Sequence, residues 1–149
     1  MLKNFFLSLV LSICFSAEAS NFKAGDITIH QPWARGGANM MAGYMKLENQ
    51  GKADRLLSAS SQVSEALELH QHVHDNGVMR MRKIDSIALP AKEVIELKPQ
   101  GLHLMFIRLK KPLAQGERFT VTLHFEKTGD VPVEFIVDAT GQAAPQKQP

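Results

Sequence analysis

Residues 67–83, LELHQHVHDNGVMRMRK, form two alternating runs on either side of an Asn76-Gly77 pair. A type I′ turn needs positive φ at both central residues, and Asn-Gly supplies this readily. The segment therefore predicts a β-hairpin. With a two-residue turn, His72 lies opposite Met81, and successive side chains point to opposite faces of the strand pair.

The rest of the chain shows a similar pattern, with short runs separated by turn residues such as Gly36-Gly37 and Gly129-Asp130. No stretch has the length and period of an amphipathic helix. Many short strands at this spacing predict an all-β single domain built as an antiparallel sandwich or barrel. The predicted strands are 27–33, 42–49, 55–61, 66–74, 78–84, 94–97, 102–109, 119–125 and 131–137.

Composition excludes several classes of protein. Of the 149 residues, 44% are hydrophobic and 21% are charged, which is typical of a globular domain and not of a disordered chain. The net charge of +2 is small and the basic residues are scattered. We therefore expect no nucleic-acid partner.

The N-terminal segment has the features of a secretory signal. Lys3 precedes an apolar stretch, residues 5–15, that is too short to span a bilayer as a helix. Ala17 and Ala19 are the small residues that a signal peptidase requires, so we expect residues 1–19 to be a signal peptide that is cleaved after Ala19.

Cys14 is the only cysteine, and Ile13 before it is too bulky for the usual lipidation site. We therefore expect an exported, soluble protein that does not insert into a membrane after cleavage. Its domain would span residues 20–138, and a tail rich in Ala, Gln and Pro, 139–149, would be disordered. The exported part has no thiol, which excludes disulfides and thiolate metal ligands.

Histidine and methionine cluster on one face of two predicted strands. In the hairpin they share the face opposite Leu67, Leu69 and Val73, which we expect in the core. In residues 101–106, GLHLMF, they share the face opposite the aliphatic and aromatic side chains. Any one such residue alone is more often core filling or a solvated side chain. Together they indicate a metal site, and seven of the twelve His and Met residues beyond Met1 lie here: His70, His72, His74, Met79, Met81, His103 and Met105.

The donor types favour copper(I). Thioether sulfur is soft and suits copper(I), whereas zinc would draw Cys, Asp or Glu, and Glu68 is the only carboxylate in register with these faces. A blue-copper centre needs a cysteine thiolate, so that class is excluded. No Ser-His-Asp or paired-carboxylate arrangement can be read from the spacing, and we expect the protein not to be an enzyme.

The spacing His70, ten residues, Met81, twenty-one residues, His103, one residue, Met105 resembles the signature of the periplasmic copper chaperone A (PCuAC) family. The similarity runs from about Ile27 to Val137. Its flanking matches are Pro32-Trp33-Ala34-Arg35, Glu68-Leu69-His70, Gly77-Val78-Met79-Arg80-Met81-Arg82, Leu97-Lys98-Pro99, Gly101-Leu102-His103-Leu104-Met105, Val121-Thr122-Leu123 and Phe125-Glu126.

This resemblance implies a cupredoxin-like β-sandwich in the periplasm that binds one copper(I) through His70, Met81, His103 and Met105. It also implies delivery of that ion to the copper centre of cytochrome c oxidase subunit II, directly or with a Sco-like thioredoxin-fold partner. We expect a monomer. A periplasmic copper storage or tolerance protein would need the same ligands, and the sequence leaves that alternative open.

Two features depart from the family pattern. The position after His70 is often methionine and is Gln71 here, and the tail from Gly141 has no His or Met for a second copper, so we expect a single site. Several further residues stay open. His72 and His74 are either auxiliary ligands, including for copper(II), or solvated. Trp33 and Tyr44 are expected to pack in the core or at the rim, and His30 and His124 to be structural. Met40, Met41 and Met45 could approach the copper from a neighbouring loop or strand, but core filling is the expected role.

Overall fold

The computed structural model describes residues 20–138, and this part of the chain forms eleven β-strands and no α-helix. All nine predicted strands are present, with ends shifted by up to a few residues. The strands are β1 (Asn21–Ala24), β2 (Ile27–Gly36), β3 (Met40–Asn49), β4 (Asp54–Ser60), β5 (Ser64–Asp75), β6 (Val78–Lys83), β7 (Ile87–Leu89), β8 (Val94–Leu97), β9 (His103–Leu109), β10 (Arg118–Phe125) and β11 (Gly129–Val137).

Two short strands were missed by sequence analysis. β1 has four residues and β7 has three, which is too few to show an alternating pattern. The expected signal peptide, 1–19, and tail, 139–149, lie outside the described residues. No helix within residues 20–138 is long and apolar enough to cross a membrane.

The strands form one sheet in the order β6-β5-β9-β3-β2-β11-β10-β4-β7, with β1 added to β2 and β8 added to β3. The named pairs are antiparallel except β11 with β2, which are parallel at Ile136–Trp33 and Val137–Ala34. The expected antiparallel architecture is therefore confirmed apart from this pair. Residues from distant strands of the order, such as Leu69 and Ile87, belong to one core cluster, so the sheet curves around that core.

Alternation along the strands sorts the side chains into the core and an outer face. On β3, the odd-numbered residues from Met41 to Asn49 are buried on the core side. Gly43 lies among them, and a Cβ there would stand 2.8 Å from Phe106 and 3.1 Å from Phe135. A larger residue would therefore push β3 away from the aromatic centre of the core.

The hairpin of β5 and β6 has the predicted register. His72 lies opposite Met81 and His74 opposite Met79, and the turn residues Asn76 and Gly77 have φ of 49° and 78°. All of β6 is exposed, so the hairpin extends beyond the core. The prediction that Val73 is a core residue is therefore wrong, because Val73 lies in this extension and outside the core cluster.

Candidate metal centre

The centre lies on the outer face of the sheet, where β5, β9 and β3 are neighbours. His70 on β5 is paired with His103 on β9, and two residues along the strands Glu68 is paired with Met105. These side chains share a face because residues two apart in a strand point the same way. The sequence could not predict which strands are neighbours here, since β5 and β9 are separated by three other strands in the chain.

His103 has a defined tautomer. Its Nδ1–H donates to the carbonyl of Gly101 at 3.0 Å, and because a carbonyl only accepts, Nε2 of the neutral ring carries the lone pair. Burial lowers the pKa of His103, an effect that the Gly101 hydrogen bond opposes and that nearby His72 and His70 reinforce. The ring is 1% exposed and is therefore held as a neutral donor.

Nε2 of His103 lies 3.3 Å from Sδ of Met81. A neutral imidazole nitrogen and a thioether sulfur both offer lone pairs, so no proton joins them. With metal–nitrogen and metal–sulfur bonds of about 2.0 and 2.3 Å, this separation corresponds to an N–metal–S angle of roughly 100°. The pair therefore fits a cation in near-tetrahedral coordination.

His70 is oriented by Glu68. Its Nε2–H donates to Oε2 of Glu68 at 2.8 Å, and Lys83 donates to the other carboxylate oxygen at 3.1 Å. These two hydrogen bonds, that of His70 first, lower the pKa of Glu68. Nδ1 of His70 is buried and has no hydrogen-bond partner among the described residues. The free nitrogen is thus the one that remains for a ligand.

Met105 completes the predicted set but stands apart from the closest contact. It is buried on the same face as His103, between Glu68 on β5 and Ala42 on β3. Met81 is 46% exposed at the rim. All four predicted ligands therefore share one face; the structure brings Met81 and His103 into contact, pairs His70 with His103, and places Met105 two residues along β9.

His72 and His74 have different surroundings, although they follow each other on the same face. The ring of His72 lies 5.0 Å from that of His103 between centroids, closer than the 5.7 Å of His70. Nδ1 of His72 is buried without a partner in the described chain. His74 is exposed opposite Met79. His72 therefore belongs to the centre and His74 lies outside it.

An aromatic floor made of Trp33 and Tyr44 continues from His103 across β3 to β2. The rings of Tyr44 and His103 are 6.4 Å apart, those of Trp33 and Tyr44 are 4.6 Å apart, and the Arg35 guanidinium lies 5.8 Å from both aromatic rings. Both aromatic residues are buried on the outer face rather than within the main core cluster. Of the expected places, core or rim, they take the rim.

The face that Trp33 takes does not follow from simple alternation, because a β-bulge between His30 and Trp33 changes the alternation of β2. Gln31 has a φ of 49° at this point. The extra residue turns Trp33 onto the same face as Tyr44, its partner on β3. Pro32, which cannot donate to the ladder, is the sequence signal that indicates a bulge at this point.

The three remaining methionines of the described residues differ in burial. Met41 and Met45 are buried in the core, as expected. Met40 is 45% exposed, so the expectation that it fills the core is wrong; it lies at the start of β3, where the strand leaves the core. His30 has the expected structural role, since its Nε2 is hydrogen-bonded to Oε2 of Glu48 at 2.8 Å.

Ser60, His124 and Asp130 are linked on β4, β10 and β11, an arrangement that spacing did not reveal. His124 bonds Ser60 through Nε2 at 2.9 Å and Asp130 through Nδ1 at 2.7 Å. The order is that of a hydrolase triad, but there the carboxylate is buried, whereas Asp130 is 71% exposed. The three side chains tie neighbouring strands together.

In residues 20–138, no three His, Cys, Asp or Glu side chains are arranged so that they could hold a metal ion by themselves. The imidazoles of this face are therefore not already assembled around one point.

Known proteins resemble this chain over most of its described length. The sequence model of the family described as "Putative lipoprotein LpqE-like" matches residues 27–137. The "Putative lipoprotein Lxx21020" of Leifsonia xyli is 31% identical over 121 residues, covering 79% of this chain and 73% of that protein.

Solved structures with the same fold include the apo PCuAC domain from PmoF1, with a TM-score of 0.70 and 25% identity over 80% of this chain and 99% of that one. The copper-bound PCuAC domain from PmoF2 has a TM-score of 0.68 and 27% identity over 80% of this chain and 98% of that one. The fold is therefore the cupredoxin-like β fold of these domains. The chain belongs to the PCuAC family, which the LpqE-like sequence model describes.

Proposed function

We propose that this protein is an exported carrier that binds one copper(I) ion and passes it to an acceptor protein. The ligands would be His70, Met81, His103 and Met105. The contact of 3.3 Å between Nε2 of His103 and Sδ of Met81 carries the proposal, because two lone-pair donors at this distance lack any bridging proton. A cation between them would remove their repulsion.

The donor chemistry selects the ion. Thioethers are soft and neutral, and with imidazole they suit copper(I) better than zinc, calcium or magnesium. The buried, unpartnered Nδ1 of His70 supplies a further nitrogen with no hydrogen bond to lose on binding. The solved PCuAC domain from PmoF2 is copper-bound, which supports the same ion here.

Exposure of the centre favours delivery over storage. Met81 is 46% exposed on a hairpin whose second strand faces solvent throughout. A partner's thiolate can therefore reach the ion and replace the thioethers one at a time, without opening the fold. A storage site would be better served by an enclosed ion.

The acceptor that we propose is the copper centre of cytochrome c oxidase subunit II, reached directly or through a Sco-like thioredoxin-fold protein. This follows from the resemblance of the four-ligand signature to the family of copper(I) carriers for oxidase assembly. Binding and release of the ion involve no turnover, so the protein would not be an enzyme. It would act as a monomer.

Export to the periplasm is supported by the signal-like segment and by the lipoprotein description of the relatives. Cleavage after Ala19 would give a free protein, whereas lipidation of Cys14 would give an anchored one. Ile13 before that cysteine favours the first outcome. Mass spectrometry of the protein recovered from the periplasm distinguishes a mature chain that begins at Ser20 from an acylated Cys14.

The test of the site is an anaerobic copper(I) titration against a chromogenic chelator. We expect the parent to bind one equivalent, and Met81→Ala to lose affinity by at least roughly tenfold, because a ligand is removed. Met40→Ala is a matched control, since Met40 is a methionine of nearly the same exposure, 45%. It should leave the affinity unchanged.

Equal losses in the Met81 and Met40 variants would contradict the assignment, and absence of competitive binding by the parent would refute copper carriage. Delivery is tested separately in a deletion strain of the source organism. Loss of oxidase activity at low copper supports delivery, whereas copper sensitivity with normal oxidase activity would support storage instead.

A further inference from the structure

The backbone holds His72 beside His103. The N–H of His72 donates to the carbonyl of Gly101 at 3.3 Å, and the same carbonyl accepts Nδ1–H of His103 at 3.0 Å. His72 also lies directly opposite Met81 on β6. One carbonyl therefore fixes two imidazoles side by side, next to the exposed thioether.

The described fold does not account for the burial of Nδ1 of His72. It is buried and has no hydrogen-bond partner in the described chain, and a buried polar atom without a partner destabilises the protein. His124 and His30, in contrast, have carboxylate partners. The only other buried side-chain nitrogen or oxygen in residues 20–138 that lacks a partner is Nδ1 of His70, on the same face.

The spacing of the rings is compatible with a shared ion. Since metal–imidazole bonds are about 2.0 Å long, two rings that share one ion lie roughly 4.5–6.5 Å apart between centroids. His72 and His70 lie 5.0 and 5.7 Å from His103. The three rings are not already arranged around one point, so binding requires rings to turn. Neither Nδ1 has a hydrogen bond to lose, although a large turn of the His70 ring would break the bond from its Nε2 to Glu68.

We propose that His72, with His70 and His103, gives this centre a second donor set that holds copper(II). This inference rests on the proposed copper(I) site and extends it to the other oxidation state. Imidazoles suit copper(II), whereas thioethers favour copper(I), and copper(II) stands above zinc in affinity for a site of this kind. Met81, at the exposed rim, can leave the ion when nitrogen replaces sulfur. The same face would thus accept the ion in either state.

The test uses the purified full domain and copper(II) sulfate, with a competing chelator and electron paramagnetic resonance. We expect a single copper(II) with hyperfine coupling to three imidazole nitrogens in the parent and to two in His72→Gln. The copper(II) affinity of that variant should fall by at least roughly tenfold, because a nitrogen ligand is lost.

His74→Gln is the matched control, since His74 is the next histidine on the same face but is exposed. An equal loss of copper(II) affinity in both variants would overturn the assignment, as would copper(II) binding that ignores His72→Gln. A parent that binds copper(I) but not copper(II) would refute this inference and leave the proposed function standing. A parent that binds neither ion would refute both this inference and the proposed function. A circular dichroism spectrum identical to that of the parent shows that a variant is folded.

Discussion

Asn49 and Asp54 have buried side chains whose polar atoms are hydrogen-bonded, whereas the imidazoles of His70 and His72 each have a buried nitrogen without a partner. The side-chain amide of Asn49 donates to the backbone carbonyls of Lys52 and Leu89, and its oxygen accepts from the N–H of Gly51. Asp54 accepts bonds on both oxygens. The comparison separates two uses of buried polar groups: a satisfied group stabilises the chain by itself, and an unsatisfied one is completed by a ligand.

The largest effect is expected at Asp54. Asp54→Ala removes the acceptor of the backbone N–H groups of Lys127 and Thr128, at 2.9 and 3.0 Å, and leaves them unpaired. We expect the free energy of unfolding in urea to fall by about 3 kcal/mol, because several part-buried hydrogen bonds to one carboxylate are lost together. Copper(I) affinity should not change. Asp130→Ala, at an exposed carboxylate, should cost less than about 1 kcal/mol.

The stabilisation by Asp54 should also depend on pH. Burial alone would raise the pKa of Asp54, but hydrogen bonds from the Thr128 hydroxyl and from backbone N–H groups outweigh it and lower the pKa. A group whose pKa is lower in the folded state stabilises the fold at pH values above its unfolded pKa, which is about 3.9 for Asp. This stabilisation is lost as the pH falls through the folded-state pKa. The difference between parent and Asp54→Ala should shrink below about pH 4. A difference that grew on acidification would contradict this.

Glu68 should affect copper and not the fold. Glu68→Ala frees the His70 ring to rotate and to exchange tautomers, and loss of such a partner weakens metal binding by about 10–100-fold. That corresponds to about 1.4–2.8 kcal/mol at 25 °C. The measurement is the anaerobic copper(I) titration. Glu68→Gln keeps an acceptor oxygen and should lose less.

Glu65→Ala is the control for this prediction. Glu65 lies on the same strand but pairs with Arg108, away from the imidazoles. Its removal should leave copper(I) affinity unchanged. If both variants lost affinity equally, general charge rather than orientation of His70 would be responsible.

Sequence predicted the parts of the centre that depend on local rules. Asn76-Gly77 determines the turn, and with it the register that places His72 opposite Met81. Alternation then places His103 and Met105 on one face of their strand. These features need only neighbouring residues, so one sequence is enough to derive them.

The parts that depend on distant contacts could not be predicted. The pairing of His70 with His103 requires β5 and β9 to be neighbours. Pro32 indicates a bulge in β2, but the face that Trp33 takes after it depends on the pairing with β3. The Glu68 hydrogen bond and the unpartnered nitrogens depend on side-chain rotamers in the folded protein. Long-range strand order and rotamers are set by packing rather than by local pattern.

The smallest effect has the opposite sign to that at Asp54. His72→Leu replaces a ring that has an unpartnered buried nitrogen by an apolar side chain. In the absence of metal we expect the free energy of unfolding to rise by about 0.5–1 kcal/mol, because the cost of the unpaired nitrogen disappears. His74→Leu, at an exposed position, should change it by less than about 0.5 kcal/mol. A loss of stability in His72→Leu would mean that the ring is already bonded in the apo protein. The contrast with Asn49 and Asp54 would then fail, because the imidazole face would be as complete without metal as the rest of the fold.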